Sequence, residues 1–120
     1  MIASKHIDAL ERVLRELLAE HETLVTLAAR HREALRRADG PAVTEVSLER
    51  DRVNERIVSL NGERQEMTRA IAGELGAHAE GMTVRTLIAA LAPDRAARLA
   101  ALADELRSAI EATRREHSAV

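Results

Sequence analysis

The chain has 120 residues, of which 46% are apolar and 32% charged, yet it contains no Phe, Tyr, Trp or Cys. Eighteen Lys and Arg against twenty Asp and Glu leave a formal net charge of −2, which excludes a general electrostatic attraction to nucleic acid or to an anionic membrane surface. The lack of cysteine excludes a disulfide framework, a thiolate metal site and a cysteine nucleophile.

This length supports one domain. Ala, Leu, Glu and Arg dominate, the composition of long helices and coiled coils. A core of aliphatic side chains alone suits a thin helix bundle, because aromatic residues normally supply the large buried areas of a thick globule. The longest strictly apolar run, Leu87 to Ala92, is far too short to span a bilayer. The opening MIASKHIDALERV lacks the apolar core of a signal peptide, so a cytoplasmic protein is expected. The expected class is all-α: one domain over 1–120, with a long antiparallel helix hairpin over 4–75, then a short helix and a C-terminal amphipathic helix over 83–117.

The first helix is expected to begin at Ser4, a suitable N-cap, and to reach about Ala38. Ile7, Leu10, Leu14, Leu17, Leu24, Ala28 and Leu35 recur at three-four spacing, with His21 and His31 at the two missing steps. Such a stripe turns one face of a helix to a partner helix. Val13, Leu18, Val25 and Leu27 widen it, as contact with a second neighbour requires. Asp39-Gly40-Pro41 then stops the helix, with glycine available for a left-handed C-cap and proline suited to the next first turn.

The second helix is expected from Pro41 to Leu75, with a stripe of Val43, Val46, Arg50, Val53, Ile57, Leu60, Arg64, Met67 and Ile71. Asn61-Gly62 is a turn signal in isolation, but the stripe passes through it in phase, so the helix should continue. Gly62 should then cost about 1 kcal/mol relative to Ala and mark a bend or a close contact. A turn this short makes the helices antiparallel neighbours. Their stripes pair where residue numbers sum to about 81: Leu35 with Val46, Ala28 with Val53, Leu24 with Ile57, Leu14 with Met67 and Leu10 with Ile71. At 1.5 Å per residue the hairpin should be on the order of 50 Å long.

Residues 76–82 contain two glycines and form a break. Thr83 can cap a short helix over 84–91, and Pro93 opens the last helix with Asp94 in its favourable first turn. That helix should reach His117, with a stripe at Leu99, Leu102, Leu106 and Ile110 flanked by Ala96, Ala103 and Ala109. It can pack on the hairpin as a third helix, or it can seat a partner helix.

Chemistry-bearing patterns are few. His6, His21, His31, His78 and His117 include no pair at the three- or four-residue spacing of a helical metal site. Glu74 and His78 have it, but glycines interrupt that segment, so no metal or cofactor is expected. His21 and His31 read as polar seam residues that set register, or alternatively as a pH-sensitive contact. Arg50 and Arg64 can lay their stems on the seam and keep their charge in water. There is no Gly-rich phosphate loop, and a thin aliphatic bundle offers no pocket to shift a carboxylate pKa. Arg36-Arg37 and Arg114-Arg115 read as helix-end charges rather than phosphate contacts. The chain reads as a non-enzyme.

The order of elements resembles the FlgN family of flagellar type III export chaperones. The resemblance rests on LERVLRELLAEHETLVTLAARHREAL, the turn ADGPAV, a second helix ending ERQEMTRAIAGELG, and MTVRTLIAALAPDRAARLAALADELRSAI. It covers nearly the whole chain, and the order of the motifs carries it. It implies a cytoplasmic chaperone for hook–filament junction proteins of the FlgK and FlgL type, whose C-terminal amphipathic helix binds the chaperone's last helix. Carried over, the partner-binding residues are Leu99, Leu102, Ala103, Leu106 and Ile110. The competing readings are a coiled-coil or homo-oligomerisation module without a client, a regulator that binds an export ATPase or a sensor domain, and, last, a helical enzyme subunit.

Overall fold

The computed structural model describes residues 4–75 and 91–118. They form three helices: α1, Ser4–Arg36; α2, Gly40–Leu75; and α3, Pro93–Ser118. No strand occurs among the described residues. The short helix expected over 84–91 lies outside them, except that Leu91 sits at a bend and outside any helix. The molecule is elongated, 57 × 22 × 21 Å, as a hairpin of two helices each about 50 Å long requires.

The turn between α1 and α2 ends the first helix two residues earlier than expected, and by a different device. The left-handed residue is Ala38, with φ 55°, whereas Gly40 already begins α2. Asp39 N donates to Ala34 O at 2.9 Å and Ala38 N to Leu35 O at 3.1 Å. This bond pair is a Schellman motif, which satisfies the last carbonyls of α1. Asp39 then caps α2: its Oδ1 accepts from Ala42 N at 3.1 Å, and its carbonyl accepts from Val43 N at 3.0 Å. Pro41 falls in the first turn, where its missing N–H costs nothing.

The seam is nearly the one expected. Ile7, Leu10, Leu14, Leu17, Leu24 and Ala28 of α1 are buried, as are Val46, Val53 and Ile71 of α2. Leu24, Leu27, Val46 and Val53 form one cluster, with Ile57 packed against it. Cross-helix polar contacts fall where numbers sum to 79, 76 and 80: Arg30–Glu49, Arg56–Glu20 and His6–Glu74. The expected pairing of Leu35 with Val46 is corrected. Leu35 is 51% exposed, and the neighbouring Ala34 is buried in its place. Near the turn, α1 presents Leu27 and Ala34, seven residues apart and therefore on one face, to α2.

The helix runs unbroken through Asn61-Gly62. Gly62 makes no close contact, since a Cβ built there would meet nothing within 4 Å. Arg50 and Arg64 are half-buried on the seam.

Candidate functional site

α3 lies against α1, not across the end of the hairpin. Arg95 Nη1 sits 3.0 Å from Asp8 Oδ1, and Arg98 Nε 3.6 Å from Glu11 Oε1. Further along, Thr113 Oγ1 lies 3.4 Å from His21 O. Residue numbers rise together across these contacts, so α3 runs parallel to α1 while α2 runs antiparallel to it. α1 is thus the central helix. α3 covers its N-terminal part and leaves the tip of the hairpin as a two-helix structure.

The apolar row of α3 provides the grip. Leu99 is fully buried within the cluster of Ile7, Leu10, Val13, Leu14, Leu17 and Ile71, and Leu102 and Leu106 pack against that cluster half-buried. Ala103 and Ile110 are also half-buried. The five residues singled out in sequence therefore share one face of α3, and that face is turned to α1. Burying Leu99 alone contributes about 1.5–3 kcal/mol. The two Arg–carboxylate pairs add less, because Arg95 is 28% and Arg98 52% exposed, and solvent screens such charges.

Three residues that sequence reasoning passed over hold this interface: Glu11, Arg95 and Arg98. Glu11 is nearly fully buried, with Arg15 Nη2 at 3.5 Å from its other oxygen. No apolar pattern marks it, because its burial comes from α3 and not from the hairpin. The only sequence signal was the breadth of the α1 stripe.

The seam histidines keep their polar character. The Nδ1 atoms of His21 and His31 are buried without a hydrogen-bond partner, and burial lowers the His21 pKa from 6.5. His6 instead bridges the open end of the hairpin, with Nδ1 2.6 Å from Glu74 Oε1. At the other end, the hydrogen bond from Arg36 and the charge of Arg37 hold the Glu33 carboxyl below its ordinary range. Among the described residues no three His, Asp or Glu side chains converge on a point where a metal could sit, and no helix is long and apolar enough to cross a membrane. The arrangement presents helical surface along both α1 and α3.

Comparison with known proteins gives one result. A family model described as "FlgN protein" matches residues 1–119. No curated protein and no solved structure matches the chain significantly.

Proposed function

The chain belongs to the FlgN family of flagellar export chaperones, and on that premise we propose that it works in the cytoplasm on hook–filament junction proteins of the FlgK and FlgL type. The client part is the amphipathic C-terminal helix, and the chaperone part is α3, through Leu99, Leu102, Ala103, Leu106 and Ile110. Family members are chaperones rather than enzymes, and this chain acts by presenting helical surface, with no catalytic step, cofactor or metal.

The observation that supports this reading is the way α3 is held. One fully buried leucine and a row of half-buried residues attach it to α1. A helix attached by so short a row can leave α1 and offer the same row to a client's helix. An export chaperone needs that property: it must shield a client's apolar stripe and then let it go. Three or four leucine-sized side chains, each contributing about 1.5–3 kcal/mol before ordering costs, can support micromolar binding at about −8 kcal/mol.

Calorimetry of the full chain against a synthetic C-terminal segment of a FlgK- or FlgL-type protein tests the proposal. Saturable binding in the micromolar range or tighter is expected. No heat with either segment, from a chain that is a stable oligomer, would replace this reading with that of a structural coiled-coil module.

A further inference from the structure

A second helical surface lies beside the α1–α3 contact, on the flank of α1 turned away from α2. Glu20 reaches α2 through Arg56, and Leu18 and Glu22 stand two positions from it, pointing nearly the opposite way on a helix of 3.6 residues per turn. There α1 contributes a wall from Arg15 through Leu18, Ala19 and Glu22 to Thr26. α3 contributes the facing wall, Asp104, Glu105, Ser108 and Ala109. The two stretches share Leu18 and Glu22 and form one continuous groove.

The groove has an apolar, small-residue floor and an acidic rim. Leu18 is half-buried at its base, beside Ala19 and Ala109, which let a second backbone approach closely. Asp104 is tied to Arg107 at 3.2 Å. Neither Glu22 nor Glu105 has an ion-pair partner among the described residues. The nearby cations are committed elsewhere: Arg15 and Arg98 both close on Glu11, at 3.5 and 3.6 Å. The α3 part of the groove has a volume of 470 Å³, within the range of small-ligand sites. It is open along its length, however, so a small molecule there could not lose most of its surface from water. A rod-shaped partner can.

We propose that this groove seats an amphipathic helix whose apolar stripe is flanked by Lys or Arg side chains that pair with Glu22 and Glu105. The α1 wall from Arg15 to Thr26 sets the contact at about three helical turns, roughly 16 Å. The inference rests on the reading that α3 engages a helical client. It adds that the client makes its first contact beside α3, in this groove, before the apolar row of α3 is released from α1, and that the chaperone selects for positive charge.

Two designed peptides of about 18 residues, five turns, serve as probes. Each carries the same Leu and Ala stripe, flanked in one by Lys and in the other by Glu. Fluorescence anisotropy should show the full-length protein preferring the Lys peptide by about tenfold at low salt, as two exposed charge pairs predict, with the preference fading as salt rises. Glu22→Lys with Glu105→Lys should reverse the preference without changing helicity by circular dichroism, since both positions are exposed. The milder Glu22→Gln with Glu105→Gln should erase it. Equal binding of both peptides by the parent, or a preference that survives the Lys substitutions, would overturn the proposal. So would self-association of the parent through this face, lost in the Lys variant, because the occupant would then be a second copy of the chain. A parent that binds a junction-protein segment but neither designed peptide would overturn the groove and leave the chaperone reading intact. Binding of none of the three would end both.

Discussion

Arg98 on α3 and Glu11 on α1 lie 3.6 Å apart across an interface that leaves only 6% of the Glu11 side chain exposed. The contact is an ion pair without a hydrogen bond, and Glu11 Oε1 has no other donor. Breaking a buried pair is costly when the charge left behind is itself buried, and much less so when that charge reaches water. Arg98 is half in solvent, and Arg15 remains beside Glu11. Arg98→Met should therefore destabilise by only about 1 kcal/mol, and hydrogen exchange should quicken along α3 before it does along the hairpin. Glu11→Leu should be neutral or stabilising in chemical denaturation, because the cations it leaves behind are exposed.

The seam near the turn separates two leucines that sequence periodicity does not. Leu27 is 1% exposed and Leu35 51%. Leu27→Ala should cost about 3 kcal/mol through lost burial and an unfilled cavity. Leu35→Ala should cost less than about 1 kcal/mol, since an exposed side chain leaves no cavity. Thermal melts of the two variants check this directly. Equal losses would mean that Leu35 is packed on Val46 after all.

Two exchanges between alanine and glycine, made in opposite directions, should both stabilise the fold. Ala38 occupies the left-handed region at φ 55°, which costs an L-residue about 1–2 kcal/mol. Ala38→Gly should recover part of that, on the order of 0.5–1 kcal/mol. Gly62 sits inside α2 with free space around it, so Gly62→Ala should stabilise by up to about 1 kcal/mol. The double variant should be additive, because the sites are far apart. Melting temperatures of the single and double variants read this out.

Burial lowers the pKa of His21 below 6.5, so the unfolded chain takes up this proton more readily than the folded one. The His21 contribution to stability is whole above pH 6.5 and is lost as pH falls from 6.5 through the lowered folded value. The neutral ring has a buried, unpartnered Nδ1, and protonation adds charge beneath the C-terminal part of α3. His21→Asn should flatten the loss of stability below pH 6.5 relative to the parent, as measured by denaturation at a series of pH values. His6 serves as the control: it pairs with Glu74 away from this interface, and His6→Asn should leave the His21-dependent step in place.

The hairpin was legible because both stripes are long, periodic and joined by a turn too short for any other topology. Leu24 with Ile57, and Leu10 with Ile71, fall in common clusters as their spacing predicts. The cap was not legible, because the left-handed position carries alanine and the glycine two residues later is a helix-starting residue. Leu35 and Leu27 both continue an apolar stripe, and only the approach angle of α2 decides which is covered. The last helix was recognisable as amphipathic, but its parallel seat on α1 depends on long-range pairs. Asp8 with Arg95, and Glu11 with Arg98, are 87 residues apart, and no local pattern links them. For the same reason a charged residue, Glu11, became part of the interior.

The central claim is that α3 carries the client-binding surface. Its most direct test is a calorimetric titration of Leu102→Asp with Leu106→Asp against the C-terminal segment of a FlgK- or FlgL-type protein, beside the parent. Both leucines pack on the α1 cluster, so the substitutions remove the apolar row of α3 and its grip together. α1 and α2 keep their own seam through Leu24, Leu27, Val46 and Val53. Loss of binding, with the helical signal of the hairpin retained in circular dichroism, is the predicted result. A double variant that binds the segment as tightly as the parent would contradict the account and move the client site off α3.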